Sequence, residues 1–361
     1  MPSHNPRVAA IGRGTELATA NRFERVHVED DWEQLEGDED LGEARRVPTV
    51  FFADETRRLI AQNDSPDVFF RYSINPYRGC EHGCAYCYAR PGHEMLGMNA
   101  GLDFETRILV KHQAPDLLRA ELAAESWQGE FIAMSGVTDC YQPAERRYRL
   151  TRGCIEVLSE AQQAFGIITK NALVACDIDL LAPLAANNLL HVNLSITTLD
   201  AELARKLEPR TATPAARLRA IRALTDAGVP VGVMTSPIIP GLNDQEIPAI
   251  LAAAKEAGAR TAGYILLRLP YAVRPIFEHW VTTHLPEKAD RILSLIRETR
   301  DGKLNETAWG LRMRGQGNYA EGIERTFKIF RKKLGLDGGF PQLDLTRFIP
   351  PRPVSGQLRL F

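Results

Sequence analysis

Three cysteines within eight residues form one compact group of potential metal ligands in this chain. Cys80, Cys84 and Cys87 stand in the segment Cys-Glu-His-Gly-Cys-Ala-Tyr-Cys, whereas the other three cysteines are widely spaced. Thiolates are the usual ligands of iron–sulfur clusters, and a closed cubane cluster normally takes four of them. Three thiolates leave one iron open, and an open iron can chelate a small molecule and pass it an electron.

Two other uses of closely spaced cysteines compete with this interpretation. Structural zinc sites usually pair two Cys-x2–4-Cys or His-x3–5-His knuckles, and the sequence contains no second pair. His82 lies inside the loop and would strain a closed tetrahedral site. A disulfide framework is expected of secreted proteins, but the N-terminus lacks the apolar core of a secretory signal. The pattern therefore favours an open iron–sulfur site.

The elements that must position these cysteines begin at about residue 68, where short apolar stretches alternate with amphipathic ones. Repeated βα units predict a parallel sheet with right-handed crossovers. Six strands predict an open (β/α)6 barrel, a partial TIM-type α/β fold whose active site lies at the carboxyl ends of the strands. The predicted strands are 68–74, 131–134, 166–169, 190–195, 231–234 and 262–267, and the predicted helices are 114–125, 144–164, 178–186, 214–227, 244–257 and 272–284.

The cysteine segment resembles the cluster motif of the radical S-adenosylmethionine (SAM) superfamily, Cys-x3-Cys-x-aromatic-Cys, with Tyr86 at the aromatic position. The resemblance implies a [4Fe-4S] cluster on Cys80, Cys84 and Cys87, with SAM bound at the unique iron through its amino and carboxylate groups. In that superfamily an electron from an external donor cleaves SAM to a 5′-deoxyadenosyl radical, which abstracts hydrogen. The cofactor carries the difficult chemistry, and the protein orients it.

Residues at the ends of the later predicted strands are candidates for binding SAM. Ser135, Thr138 and Asp139 follow the second strand, and the resemblance gives Thr138 and Asp139 the SAM amino group; an ordinary turn with a helix-capping Asp is the alternative. Lys170 follows the third strand, where it pairs with the SAM carboxylate or is a solvated surface lysine. Less specific candidates are Ser195 for a ribose or carboxylate oxygen, Ile238 for the adenine face and the backbone of Leu266.

The chain further resembles the spore photoproduct lyase-like (DNA repair photolyase-like) branch of that superfamily and an uncharacterised bacterial subgroup of it. Segment 80–90, Thr138-Asp139 and Lys170 carry this resemblance, because the lyase has a Ser-Asp pair and a Thr-Lys pair at similar positions. The lyase returns hydrogen from a cysteine before its Ser-Asp pair. Cys140 follows Thr138-Asp139 and does not inherit that role by alignment. The candidate catalytic residues are Cys140, Tyr141 and Tyr88, with burial in the core as the alternative.

Length and composition are those of a globular enzyme with one large α/β domain and extensions, or two domains. The 361 residues carry a net charge of −2 and are 44% hydrophobic. No apolar run approaches the ~20 residues that cross a bilayer, so we expect a cytoplasmic protein. The predicted segments are an acidic N-terminal extension (1–65), disordered or loosely docked, a core barrel (66–300), a basic helical extension (301–349) and a Pro-rich tail (350–361).

Charge is divided unevenly along the chain. Residues 1–60 carry 8 Arg and 13 Asp+Glu, whereas residues 301–361 carry 11 Lys+Arg and 6 Asp+Glu. This asymmetry favours an anionic partner such as DNA near the C-terminal end. A helix around 325–333 is predicted to turn Phe327 and Phe330 to the core and its cations outward, where they contact phosphates or simply face solvent. The pair Glu208 and Arg210 is predicted to form a surface salt bridge, with ordering of SAM or substrate as the alternative.

The last five residues, Gln-Leu-Arg-Leu-Phe, resemble the bacterial sliding-clamp-binding peptide. A proline-rich lead would leave them accessible. Burying three apolar anchors at ~1.5–3 kcal/mol each sustains micromolar binding after ordering costs. In the alternative, the apolar side chains fold back onto the barrel. The candidate clamp-binding residues are Gln357, Leu358, Leu360 and Phe361.

Together these patterns predict a radical SAM enzyme that acts on a DNA lesion or a modified base and is recruited through a replication clamp. A lesion base would have to be flipped into the barrel mouth. Two alternatives stay open: the same radical chemistry on RNA, a peptide or a metabolite, and a non-catalytic zinc or cluster adaptor recruited through its tail. The sequence leaves open the substrate, the bond broken, the hydrogen donor, the oligomeric state, and whether SAM is consumed or regenerated.

Overall fold

The computed structural model of this chain describes residues 12–23 and 47–352. Its strands form one large sheet and one small sheet. The strands are β1 (Val50–Ala53), β2 (Ile60–Gln62), β3 (Tyr72–Ile74), β4 (Tyr77–Arg78), β5 (Arg107–Val110), β6 (Ile132–Met134), β7 (Phe165–Thr169), β8 (Leu190–Ser195), β9 (Val231–Ile238) and β10 (Thr261–Leu266).

The large sheet has seven strands in the order β10-β9-β8-β7-β6-β3-β2. Six of them are parallel to their neighbours, and β2 pairs with β3 in the antiparallel direction at one edge. Strands β10 and β2 are the two edges, so the sheet does not close within the described residues. The predicted α/β fold with six parallel strands in an open barrel is confirmed.

Helices connect these strands and cover the sheet. The helices of the described residues are α1 (Leu102–Thr106), α2 (Ala114–Leu122), α3 (Glu145–Tyr148), α4 (Leu150–Glu160), α5 (Ile178–Ala186), α6 (Ala201–Leu207), α7 (Pro214–Asp226), α8 (Ile247–Glu256), α9 (Val273–His284), α10 (Pro286–Glu298), α11 (Leu311–Arg314) and α12 (Gly317–Lys333).

Most of the predicted elements differ from the observed ones in their bounds, and two of them differ for identifiable local reasons. The first predicted strand, 68–74, forms a strand only in its last three residues, because Asn63 donates a side-chain hydrogen bond to the carbonyl of Phe70 and Asp67 pairs with Arg312. The predicted helix 144–164 is interrupted at Arg149, whose φ of 51° lies in the left-handed region.

Strand register brings the carboxyl ends of the parallel strands to one edge. Ile74 lies opposite Met134, and Thr169 lies opposite Leu194. The segments that leave these strands therefore converge, as the carboxyl ends of parallel strands do in β/α barrels. Apolar side chains on the strands and on the inner helix faces fill the core between the two layers.

A second, small sheet was not predicted as such. It has the order β1-β5-β4, and its first strand lies in the predicted N-terminal extension. The described N-terminal residues 12–23 are docked, since Gly14 N–H donates to Glu105 Oε2 over 2.8 Å and Arg22 pairs with Glu94 over 2.6 Å. The acidic stretch 27–40 lies outside the described residues, so the expectation of a disordered or loosely docked arm stays a prediction.

The C-terminal extension packs back onto the barrel. Phe327 is buried and Phe330 is partly buried on α12, as predicted. Phe340 stacks on His191 with 4.3 Å between ring centroids, and a Cβ built at Gly232 would lie 2.7 Å from the Phe340 ring. The segment after α12 therefore covers the amino ends of β8 and β9. None of the described helices combines the length and apolar character required to span a membrane.

Candidate active site

The cysteine loop follows β3 and β4 and forms one wall of a cavity of about 120 Å³. Cys80 N–H donates to the carbonyl of Phe104 over 2.9 Å, and Cys87 N–H donates to the carbonyl of Cys84 over 3.2 Å. Cys80, Cys84 and Cys87 all line this cavity. The strand-end segments after β6, β7 and β8 form the rest, so the cavity lies where the sequence predicted the active site. The strand-end residues that line it are Ser135, Val137, Thr138, Asp139, Thr169, Lys170 and Ser195.

Arg90 stabilises the cysteine loop through hydrogen bonds to its backbone. Its guanidinium is fully buried, donates to the carbonyl of Cys84 over 2.9 and 3.1 Å, and pairs with Glu105 over 2.5 Å. Gly83 has a φ of +65°, and a Cβ there would lie 2.7 Å from Glu105 Oε2. Only glycine fits that conformation and that close approach. Nothing in the sequence indicates the buried partner of Arg90, Glu105, which lies on α1.

Burial keeps the three thiols of the loop protonated until a metal binds. Burial raises the pKa of Cys80, Cys84 and Cys87, so these thiols stay protonated unless a positive charge compensates the thiolates. Iron supplies that charge, and proton release then accompanies metal binding. Nearby cations act in the same direction, since Lys170 lowers the pKa of Cys84 and Cys87 against the effect of burial. Three thiols facing one cavity are a donor set that fits a site-differentiated iron–sulfur cluster.

The zinc alternative fits less well. His82 does not serve as a fourth ligand, because its Nδ1 lies 3.4 Å from Asp139 and its Nε2 lies 3.2 Å from Asn171. Zinc needs four donors at ~2.0–2.3 Å from a single ion. Within residues 12–23 and 47–352, no group of three or more His, Cys, Asp or Glu side chains is arranged to hold one metal ion. The thiolates of a cubane cluster lie farther apart than the ligands of a single zinc ion, because each thiolate binds a different iron.

Asp139 is the most heavily bonded of the predicted SAM-binding residues. Its Oδ1 accepts the Thr169 hydroxyl over 2.7 Å, and its Oδ2 accepts the N–H of Lys170 over 2.7 Å. Thr138 donates its hydroxyl to the carbonyl of Tyr77 over 2.8 Å. Both residues line the cavity, and the oxygen lone pairs that remain on them are its candidate acceptors for an ammonium group. Their predicted role in binding the SAM amino group stays a prediction.

Lys170 is not a solvated surface lysine. Its ammonium lies 5.8 Å from the centroid of the Tyr86 ring on the cavity wall, and it has no hydrogen bond or ion pair of its side chain with any described residue. Tyr86 in turn donates its hydroxyl to Glu208. A cation on this wall is suited to an anionic group of a ligand, and the predicted pairing with the SAM carboxylate stays a prediction.

Glu208, which accepts the Tyr86 hydroxyl, has a different environment from the one that the sequence predicted. The predicted surface salt bridge between Glu208 and Arg210 is wrong, because Glu208 is buried and pairs with the buried Arg217. Burial alone would raise the pKa of Glu208, but Arg217 and Lys170 lower it to about 2. Arg210 pairs instead with Glu81 over 3.0 Å. In the sequence Glu208 directly follows α6, and that position does not indicate whether its side chain is buried.

The remaining polar candidates differ in how they are used. Ser135 has a φ of 73° and accepts the N–H of Cys140 through its hydroxyl over 2.7 Å. Ser195 lines the cavity at the end of β8, with its carbonyl accepting Arg217 over 2.9 Å. Tyr88 is half-exposed on the cavity wall and donates to the carbonyl of Gly136 over 2.8 Å. Among the three candidate catalytic residues, only Tyr88 lines this cavity.

Four predicted site residues lie in the core instead. Cys140 and Tyr141 are fully buried, and the Tyr141 hydroxyl donates to Asp177 over 2.9 Å, which fits the core-packing alternative; their catalytic roles stay predictions. Ile238 and Leu266 are also fully buried in the core rather than on the cavity wall. Their carbonyls accept Leu267 N–H over 2.9 Å and Arg300 over 3.5 Å.

A family model described as the radical SAM superfamily matches residues 74–254. The chain belongs to the radical SAM superfamily. The matched residues run from the end of β3 to α8, so they include the cysteine loop, Asp139, Lys170 and the Glu208–Arg217 pair. An uncharacterised protein of Mycobacterium tuberculosis (strain H37Rv) is 39% identical over 230 residues, which are 63% of this chain and 68% of that protein. An uncharacterised protein of Methanocaldococcus jannaschii is 32% identical over 49% of this chain and 63% of its own length.

Solved structures of spore photoproduct lyase share the fold of this radical SAM protein. A point mutant of that lyase superposes with a TM-score of 0.57 at 16% identity, covering 79% of each chain. Another mutant, with bound S-adenosylmethionine and dinucleoside spore photoproduct, has a TM-score of 0.53 at 15% identity and the same coverage. At these identities the likeness describes the fold alone.

Proposed function

We propose that this radical SAM protein is an enzyme that holds a [4Fe-4S] cluster through Cys80, Cys84 and Cys87 and binds SAM in the adjoining cavity. When bound, the reduced cluster and SAM supply a 5′-deoxyadenosyl radical that abstracts a hydrogen atom from the substrate. The observation that carries the proposal is that three thiols of one loop, two of them buried and that of Cys87 partly buried, face a cavity whose other walls are strand ends with a carboxylate and a lysine.

Different residues of the chain bind SAM and position the cysteine loop. Thr138 and Asp139 accept the SAM amino group, and Lys170 pairs with its carboxylate. Tyr86 fixes the position of the loop through Glu208, because its hydroxyl donates to that carboxylate. Burial of the loop excludes water, which strengthens every charge interaction inside the cavity.

As substrate we propose a nucleic acid, in the form of a DNA lesion or a modified base. Support comes from the fold shared with spore photoproduct lyase, whose structure holds a dinucleoside spore photoproduct, and from the basic last turn of α12, Arg331–Lys333. A base would have to leave its stack to reach the cavity. Outward-facing cations are expected to give salt-dependent binding to phosphates.

The test uses protein reconstituted anaerobically with iron and sulfide. Under a chemical reductant we expect 5′-deoxyadenosine to form from SAM, and more of it when ultraviolet-irradiated DNA is present than with undamaged DNA. The matched control is the Cys80, Cys84 and Cys87 triple alanine variant. A colourless zinc protein that forms no 5′-deoxyadenosine would support the adaptor alternative and overturn the enzyme proposal. If RNA, peptide or metabolite extracts increase 5′-deoxyadenosine formation and DNA does not, only the proposal of a DNA substrate is overturned.

We further propose that the tail recruits the enzyme to a bacterial DNA sliding clamp. The tail residues Gln357–Phe361 lie outside the described residues. The chain before them is anchored: Ile349 N–H donates to the carbonyl of Ala161 over 2.8 Å, and Arg119 donates to the carbonyl of Arg352 over 3.3 Å. The anchor supports a short tether between the barrel and the clamp-binding sequence.

A further inference from the structure

A second cavity, of about 400 Å³, adjoins the candidate active site. The two cavities share Phe104, Val137 and Thr138 on their walls. The second cavity is otherwise lined by residues in and before β2, by β4 and by the helical turn that follows the cysteine loop. Its volume lies in the range of ~300–1,000 Å³ that is typical of small-molecule sites. A ligand in it would lie next to the place where the radical is expected to form.

Lys111 is the unexplained group in this cavity. The residue is only 8% exposed, lines the cavity and has no hydrogen bond or ion pair of its ammonium with any described residue. Burial and the nearby Arg78 lower its pKa, and Asp54 opposes this. Buried lysines are rare unless they are paired. The missing partner of this ammonium is therefore expected to be an anionic group that is not part of the described chain.

The remaining lining supports an anion with an apolar body. Arg58 and Arg78 also line the cavity, and Arg78 already pairs with Asp54 over 2.6 Å. No Asp or Glu is among the described residues of its wall. Asp54 and Glu121 lie behind the wall and raise the pKa of Lys111, but Asp54 is already paired with Arg78, and Glu121 accepts the backbone N–H groups of Leu59 and Ile60. Apolar side chains complete the lining, among them Leu59, Leu96 and Phe104.

The geometry points to a substrate pocket that receives a phosphate-bearing nucleotide unit, with Lys111 paired to the phosphate and the base or sugar turned toward the shared wall at Val137 and Thr138. Lysine binds phosphate as a point charge. This inference rests on the proposed function, because it names the part of the nucleic acid that enters the site. The same chemistry is offered by a free nucleotide and by a DNA strand.

Binding to the anaerobic, cluster-loaded protein tests the inference. The probes are thymidine, thymidine 5′-monophosphate and a short thymidine oligonucleotide, measured by equilibrium dialysis. We expect the phosphate-bearing probe to bind at least tenfold more tightly than thymidine, which is the effect of one charge-assisted hydrogen bond. A Lys111-dependent preference for the monophosphate identifies a free nucleotide, and one for the oligonucleotide alone identifies a strand.

Three variants make the test specific. K111M keeps the length of the side chain and is expected to remove the preference for phosphate, whereas K111R is expected to retain it. K303M replaces an exposed lysine that does not line the cavity and is the matched control. No preference in the wild-type protein, or a preference that survives in K111M, overturns the inference.

A separate readout distinguishes this inference from the proposed function. Formation of 5′-deoxyadenosine from SAM without substrate is measured on the wild-type protein and on K303M, whose exposed lysine does not line either cavity. If neither protein forms 5′-deoxyadenosine, the proposed function fails whatever the binding result. If both form it and the phosphate preference is absent, only the inference fails.

Discussion

The Asp139 carboxylate accepts the backbone N–H of Lys170 over 2.7 Å and so ties the segment after β6 to the segment after β7. The hydroxyl of Thr169 donates to the same carboxylate over 2.7 Å. The candidates for binding the SAM amino group and the neighbouring SAM carboxylate are thus held next to each other on one cavity wall. Preorganisation of this kind reduces the entropy that a ligand loses on binding.

The side chain of Lys170 is expected to contribute to SAM affinity rather than to folding. K170M removes one charge-assisted interaction with the SAM carboxylate, so the Kd for SAM should rise about tenfold. Equilibrium dialysis on the cluster-loaded protein measures it, with the exposed Lys255→Met as control. An unchanged Kd in K170M would show that the lysine does not contact SAM.

The cysteines are expected to separate into cluster ligands and core residues. C84A should lose the iron and the brown absorption of the reconstituted protein, and its 5′-deoxyadenosine formation should fall more than 100-fold because the cluster is absent. C140A should keep all three properties, since Cys140 is fully buried in the core. Loss of iron in C140A with an intact circular dichroism spectrum would return Cys140 to the site.

Glu208 and Arg217 are expected to behave as a buried pair. E208L leaves the charge of Arg217 buried without its partner and should lower the free energy of unfolding by about 3–5 kcal/mol. The double variant E208L/R217M should recover much of this loss, because no unpaired charge remains. Urea unfolding measures both. E202A, which breaks an exposed pair with Lys206 on α6, should change the value by less than about 0.5 kcal/mol. Equal losses in the single and double variants would contradict the pairing.

His191 is expected to make stability depend on pH. Burial lowers its pKa from 6.5 to about 4, so the unfolded chain binds a proton first as the pH falls. The contribution is fully present above pH 6.5 and is lost as the pH falls toward 4, by about 3 kcal/mol in total.

The H191F variant isolates this contribution. It keeps an aromatic ring between Phe131 and Phe340 but cannot titrate, so its unfolding free energy should fall less between pH 6.5 and 4. Other titrating groups, including the cysteine loop, are the same in both proteins. Parallel pH profiles of the two proteins would show that His191 is not held neutral by burial.

Deletion of residues 357–361 is expected to abolish capture of the protein by an immobilised bacterial sliding clamp. The iron content and the 5′-deoxyadenosine formation should not change, because the cavity lies in the barrel. A variant with Leu360 and Phe361 replaced by alanine should have the same defect through loss of its apolar anchors. Clamp capture that persists in both variants would contradict the role of the tail.

Local patterns were enough to predict the sheet and the cysteine loop. Strand β8 and helix α5 have the predicted bounds, Leu190–Ser195 and Ile178–Ala186. Apolar periodicity and turn residues act over a few positions, and three cysteines in one loop need no distant partner to be recognised. The chain order of strands then places residues such as Lys170 at one edge of a parallel sheet.

What the tertiary structure alone decided is which side chains are buried and what they pair with. The sequence could not show that Tyr86 bonds to Glu208, because 122 residues separate them. It could not show that Cys140 faces the core, since the turn at Ser135 sets that direction. Nor could it single out Lys111, whose ammonium becomes unusual only once the surrounding segments remove it from water. Burial and pairing are properties of neighbours brought together by folding, and short-range patterns do not encode them.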